Sequence, residues 1–296
     1  MRIANVAGRA TLLDPDGGGL DIEKASDGRF PSDPQALFAS WDALRDWAAD
    51  AGGGDFAVDD FRLAAPAPAP RQVFAIGLNY AEHAAEARLA RPDSPPVFTK
   101  FPTSITGPRS AVLLPSEHVD WEVELVVAIG RTAVAVPEAS AWDHVAGLTV
   151  GQDLSERVVQ LSGPVPQFSL GKSFPGFAPL GPALVTPDEL DDPDDLELGC
   201  GVDGEALQRG RTRDMIFGVA ELVARLSAVC PLLPGDIVFT GTPAGVGMAR
   251  DPQRYLRPGS TLVSYVTGIG ELRNDLVDGL VDGPVDSPVT TARSTD

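Results

Sequence analysis

DWEVELVVAIG, residues 120–130, decides how this chain is read. Val123, Leu125 and Val127 alternate as on one face of a strand, and Glu122 and Glu124 stand on the other. Side chains two apart on a strand point the same way, with Cα atoms roughly 6.5–7 Å apart. Two carboxylates at that spacing repel unless water screens them or a cation lies between them. A solvated strand face is the ordinary reading of such a pair and a cation site is the alternative, so the surrounding chain has to choose.

Outward from this strand, short apolar runs broken by Gly and Pro dominate: VFAIGLNY, ALVTP, LELGCGVDG, DIVFTG and STLVSYVTG. The clearest helix is expected over 215–229, MIFGVAELVARLSAV, with Ile216, Val219, Val223 and Leu226 on one side. Strands without a regular strand–helix–strand rhythm predict an α+β fold, a strand-rich curled mixed sheet with a small N-terminal domain. That N-terminal unit, 1–62, carries a helix candidate in which Leu37, Trp41, Leu44 and Trp47 recur at helical spacing. LAAPAPAPRQ, 63–72, cannot continue a helix and reads as an extended linker into a catalytic domain over 73–276. The remaining 277–296, with a repeated acidic Val-Asp pattern, is expected to be disordered.

Composition removes several function classes. A net charge of −19 with no concentrated basic face argues against nucleic acid or an anionic membrane surface as partner. Cys200 and Cys230 have no metal-site spacing, and with no secretory segment the chain is expected to be cytoplasmic with reduced thiols. No apolar run approaches membrane-spanning length. Of the 23 basic residues only Lys24, Lys100 and Lys172 are lysine. A lysine in so arginine-rich a chain marks a position where a compact, titratable ammonium is wanted.

A third carboxylate, Asp153, ends the apolar run VAGLTVGQD just before a helix start. It can cap that helix. Beside two strand glutamates it would instead complete an all-oxygen site for a hard divalent cation. His83 and Glu86, three apart on an expected helix, are neighbours, and a carboxylate beside an imidazole suits a water-activating base. Asn79 and Tyr80 precede them as polar lining or turn residues. The glycine-dense FTGTPAGVG, 239–247, lacks the lysine of a phosphate loop but can offer amides and the Thr242 hydroxyl to a substrate carboxylate. Lys172 stands among glycines and prolines in LGKSFPGFAPLGP, an unusual setting for a solubilising lysine.

Taken in order, GLNYAEHAAE, PVFTKFPTSITGP, VDWEVELVVAIGR, VAGLTVGQDLSER, FSLGKSFPGFAPLGP, RDMIFGVAELV, LLPGDIVFTGTPAGVG and GIGELRN resemble the fumarylacetoacetate hydrolase family over about Val73 to Asn274. The resemblance implies that Glu122, Glu124 and Asp153 hold a catalytic Mg²⁺, with Mn²⁺ as the alternative. It implies that His83 and Glu86 form a dyad on a closing segment and that Lys172 lies near the metal. It further implies that Tyr80, Arg157, Gln160 and Thr242 contact substrate, and that Lys100 has a supporting role. The chain departs from the fumarylacetoacetate-cleaving enzymes in having Asn79 and Tyr80 before the dyad, where those carry a further acidic ligand. This points to the branch acting on smaller 2-oxo or diketo acids, as a homodimer. The expected reaction is metal-dependent hydrolysis of a C–C bond in an acylpyruvate-type 2,4-dioxo acid. Oxaloacetate decarboxylation, isomerisation or dehydration of a 2-oxo acid, and a non-catalytic, metal-stabilised small-molecule-binding protein are the alternatives.

Overall fold

The computed structural model describes residues 1–279. Its strands form a large mixed sheet of 12 strands and a second sheet of five. Through the centre of the large sheet run, side by side, Arg2–Val6, Ala178–Val185, Val145–Gln152, Val123–Ile129, Ile237–Phe239 and Val73–Ile76. Most neighbours are antiparallel, and Ile237–Phe239 runs parallel to Val73–Ile76. The path is open at both ends and does not close into a barrel. The second sheet orders Glu205–Arg211, Glu197–Val202, Thr261–Val266, Gly270–Asp278 and Val112–Leu114.

Every residue of Val123–Ile129 is buried, so both of its faces are core. Val123, Leu125, Val127 and Ile129 pack into one cluster with Leu198, Leu262 and Leu272 of the second sheet. Val126 and Ala128, on the face that carries Glu124, pack into another cluster with Leu180, Phe239 and the N-terminal Leu37, Trp41 and Leu44. The face that holds the glutamates is therefore covered by protein and is not a solvated surface.

The helical spacing in the N-terminal unit is realised by a 3₁₀ turn, Ala36–Ser40, running into the helix Trp41–Ala48. Arg2–Val6 hydrogen-bonds to Ala178–Val185, so the N-terminal strands continue the main sheet. The Ala/Pro stretch is tied down: Leu63–Ala64 pairs with Arg2–Val6, and Ala65 and Ala67 are buried in the second cluster. Two expectations need correction. The helix predicted over 215–229 spans Val219–Ser227, because Met215 is held in an antiparallel bridge with Tyr80, and the N–H groups of Ile216 and Phe217 follow it onto the Asn79 carbonyl (2.7 Å) and side-chain oxygen (2.8 Å). Val277 and Asp278, assigned to the tail, finish the strand Gly270–Asp278, where they pair with Leu113 and Leu114. The rest of the expected tail, 280–296, lies outside the described residues.

Candidate metal centre

Strand register assembles the carboxylates. Val123–Ile129 pairs antiparallel with Val145–Gln152, placing Val123 opposite Gln152 and Glu124 opposite Gly151. One residue past Gln152 the ladder continues with the Asp153 N–H donating to the Glu122 carbonyl at 2.9 Å. Two carboxylates at i and i+2 thus meet a third across the strand pair, and the ligand oxygens of Glu122, Glu124 and Asp153 all lie within 4.8 Å of one another. Asp153 does not cap the helix that follows: Arg157–Gln160 is capped by Glu156, whose carboxylate accepts from the Val159 N–H at 2.6 Å.

Three buried cations surround the cluster. Lys172 Nζ lies 2.8 Å from Glu122 Oε2 and 2.6 Å from Asp153 Oδ2. Lys100 Nζ, fully buried, lies 2.6 Å from Asp153 Oδ1 and also donates to the Lys172 carbonyl. Arg157 Nη2 contacts Glu122 Oε1 at 2.7 Å and Asp120 Oδ2 at 2.7 Å. The two short helices Arg157–Gln160 and Phe168–Gly171 touch closely enough that a Cβ on Gly171 would come within 2.5 Å of the Gln160 nitrogen. That contact sets Lys172 beside Arg157. Two of the three lysines singled out by composition are therefore here, each buried and ion-paired.

The electrostatics are uneven. Burial pushes the Glu122 carboxyl up, but Lys172 and Arg157 outweigh it and hold it at about 2. Burial, together with Asp153 and Glu122, drives Glu124 well above the carboxylate range. Burial also lowers Lys100, against the pull of Asp153. Among the described residues Glu124 makes no ion pair; its hydrogen bond is from the Gly241 N–H at 2.6 Å. One carboxylate of the three is left electrostatically uncompensated in a dry setting, which a hard divalent cation would correct. The residues fit such an ion.

The dyad sits on the short helix Ala81–Glu86. His83 Nδ1 is 2.7 Å from Glu86 Oε1, and Glu86 Oε2 accepts from the Gly245 N–H at 2.9 Å. With Nδ1 engaged by a carboxylate, the tautomer inferred for a neutral ring keeps Nε2 as the free acceptor. A charge on His83 is also among the causes, after Lys172 and Arg157, that lower the Glu122 carboxyl. Asn79 fastens this segment, donating to the Phe217 and Thr240 carbonyls at 3.0 and 2.7 Å. Tyr80 is buried, its hydroxyl has no hydrogen-bond partner among the described residues, and burial followed by Glu124 raises its pKa.

Other expected substrate contacts are engaged elsewhere. Thr242 donates its hydroxyl proton to the Val123 carbonyl (2.9 Å) and accepts from Gln208 Nε2 (2.8 Å), so it presents no donor to a carboxylate in this arrangement. Gln160 Oε1 accepts from Arg157 Nη1 at 2.8 Å. Two residues were not anticipated. Asp120 is fully buried and gathers Arg157 with the N–H groups of Gly247 and Met248. Its signal was available, since 120, 122 and 124 share one parity. Gln208 left none. A cavity of about 800 Å³, lined by Asp42, Arg45 and Arg131 among others, contains none of these residues.

Comparison with known proteins now decides the family. Residues 72–277 match the model of the fumarylacetoacetate (FAA) hydrolase C-terminal domain. The chain belongs to the fumarylacetoacetate hydrolase family. It is 42% identical over 215 residues to the human oxaloacetate tautomerase FAHD2A, mitochondrial, covering 72% of this chain and 68% of that protein. A Mycobacterium smegmatis crystal structure has a TM-score of 0.90 at 53% identity, covering 94% of this chain and 99% of that one. Maleylpyruvate hydrolase from Sphingobium sp. SYK-6, solved with manganese(II) and pyruvate, has a TM-score of 0.75 at 26% identity over 94% of this chain and all of that one (100%). No helix among the described residues is long and apolar enough to cross a membrane.

Proposed function

We propose that this chain is an enzyme that uses Mg²⁺ or Mn²⁺, held by Glu122, Glu124 and Asp153, to hydrolyse a C–C bond in a small 2,4-dioxo acid. The observation that carries this reading is Glu124, an uncompensated buried carboxylate packed against two others beside a carboxylate-oriented histidine. The maleylpyruvate hydrolase with manganese and pyruvate supports it. A bound divalent ion supplies Lewis acidity toward the oxo acid's carbonyl and carboxylate.

The chain's own residues do the remaining work. Glu86 holds the His83 ring with Nε2 toward the site, where it takes a proton from water as the water oxygen bonds to the distal carbonyl carbon. The C–C bond then breaks, its electron pair leaves with the pyruvate-type fragment as an enolate, and the proton held by His83 is available to that fragment. Lys172 places positive charge beside the reacting oxygens. The unpartnered Tyr80 hydroxyl is the donor offered to substrate; Arg157 and Gln160 line the wall behind Glu122. The catalytic unit runs from residue 73 to the end of the strand Gly270–Asp278, and the working state is a cytoplasmic homodimer, which a sedimentation mass of one chain would refute.

A second reading, tautomerisation or decarboxylation of oxaloacetate at the same centre, is favoured by the 42% identity to a protein named oxaloacetate tautomerase. Metal-stripped protein, reloaded with Mg²⁺ or Mn²⁺ and given acylpyruvates, other diketo acids and oxaloacetate in parallel, tests both. Hydrolysis of an acylpyruvate well above the oxaloacetate rate is expected. Oxaloacetate turnover alone decides for the second reading, and no metal-dependent turnover of either sinks the proposal.

A further inference from the structure

Beside the strand of the two glutamates, one carboxamide is used to capacity. Gln208, on the second-sheet strand Glu205–Arg211, is 97% buried by its 3% exposure. Its Oε1 accepts from the Val123 N–H at 3.0 Å and from the Cys200 thiol at 3.3 Å. Its Nε2 donates to Thr242 Oγ1 at 2.8 Å and to the Pro243 carbonyl at 2.7 Å. The amide cannot be turned round, because the Val123 N–H requires an acceptor and the Pro243 carbonyl requires a donor. Val123 is the residue between the two glutamates, and Thr242 and Pro243 belong to the glycine loop 241–247.

That loop meets the site through its backbone: the Gly241 N–H meets Glu124, the Gly245 N–H meets Glu86, and the Gly247 N–H meets Asp120. Gly245 is pressed onto the Gln208 strand: its φ is +107°, and a Cβ there would come within 2.5 Å of the Leu207 carbonyl oxygen. Its own carbonyl accepts from Trp121 Nε1 at 3.1 Å. The loop's start is held by the sheet ladder, with the Thr240 N–H donating to the Leu125 carbonyl at 3.1 Å; beyond Thr240 it has little helix or sheet pairing of its own, so its placement from there on depends on side-chain ties.

We infer that Gln208 is a positioning residue: it fixes the glycine loop against the strand of Glu122 and Glu124, so that Gly241 aims Glu124 at the metal and Gly245 aims Glu86 at His83. Gln208 touches neither substrate nor metal, and acts through the loop. The inference rests on the metal reading proposed above, and the loop half of its test is independent of it.

The test uses the full chain with Gln208→Glu, which keeps the acceptors and loses both donors, and Gln208→Met, which keeps length and loses all four bonds. Gln152→Met is the comparator: it removes another buried glutamine, bonded to the Glu122 N–H and Ser264, with no direct bond to the loop among the described residues. Backbone hydrogen exchange of peptides across 240–247 and across Val219–Ser227 is measured with Mn²⁺ affinity by electron paramagnetic resonance. Both Gln208 variants are expected to speed exchange in 240–247 while the helix stays protected, and to weaken Mn²⁺ binding about 10–100-fold. Gln152→Met is expected to leave the loop's exchange unchanged. Loop exchange unaltered by both Gln208 variants, or loosened equally by Gln152→Met, overturns the inference. A loosened loop with undiminished Mn²⁺ affinity overturns its claim on Glu124. If the unsubstituted chain binds no Mn²⁺, it is the metal reading that fails, and the exchange comparison still decides whether Gln208 holds the loop.

Discussion

Two arginine–aspartate pairs in this protein have nearly the same distances and different consequences. Arg131 Nε donates to the two Asp42 oxygens at 3.0 and 2.8 Å, with both side chains about half exposed at 51% and 55%. Arg157 Nε and Nη2 reach Asp120 Oδ2 at 2.9 and 2.7 Å, with exposures of 5% and 0%. Water screens the first pair and supports either partner if the other is lost. The second pair is buried, so each charge depends on its protein neighbours, and the dependence runs on through Glu122 to Lys172 and Asp153. Distance alone does not rank ion pairs; burial does. A centre of buried, mutually dependent charges is also where a protein can keep one carboxylate uncompensated for a cation.

The sharpest way to break this contrast is to remove the divalent cation proposed for this centre. Exhaustive chelation should abolish turnover and Mg²⁺ or Mn²⁺ restore it, while Glu124→Gln should stay inactive on reloading; full activity after chelation would remove the reason for the uncompensated carboxylate. Next in size, His83→Ala should lower kcat on an acylpyruvate by about 10²–10⁴-fold. Its Mn²⁺ binding should survive, since the ligands lie on other segments. Oxaloacetate decarboxylation, which needs no attacking water, should fall less, and an equal loss in both reactions would mean His83 does not activate water.

The pairs themselves give the last two. Asp120→Ala strands a buried guanidinium and should cost about 3–5 kcal/mol of stability, toward the lower end because Glu122 still pairs with Arg157. Denaturant unfolding measures it, and a loss below about 1 kcal/mol would say that water reaches this pair after all. Asp42→Ala, at the exposed pair, should change stability by between about 0 and 1 kcal/mol and leave kcat unaltered. If the two aspartate substitutions cost the same, burial is not what separates these regions.

Much of this was legible along the chain because it is local. Period-two alternation marks Val123–Ile129 whatever surrounds it, and the same period ranks Glu122 with Glu124 on one face. His83 and Glu86 are neighbours by helical spacing alone, and the hydrogen bond at 2.7 Å follows from three-residue separation. The scarcity of lysine marked Lys100 and Lys172 without reference to contacts. The expected helix over 215–229 failed at its start for a non-local reason, since Asn79, more than 130 residues earlier, claims the N–H of Phe217 (|i−j| = 138).

What the sequence by itself determined is therefore the set of charged candidates and the elements that carry them, since strand parity, helical spacing and side-chain chemistry are properties of neighbouring residues. Tertiary structure alone decided which of those charges are dry and what holds them. Asp153 joins Glu122 through strand register, Arg157 is claimed by Asp120 from 37 residues away, and Gln208 reaches Val123 across 85. Hydrogen bonds and desolvation act over a few ångströms in space, and no period in the chain records which distant residues will come within that range.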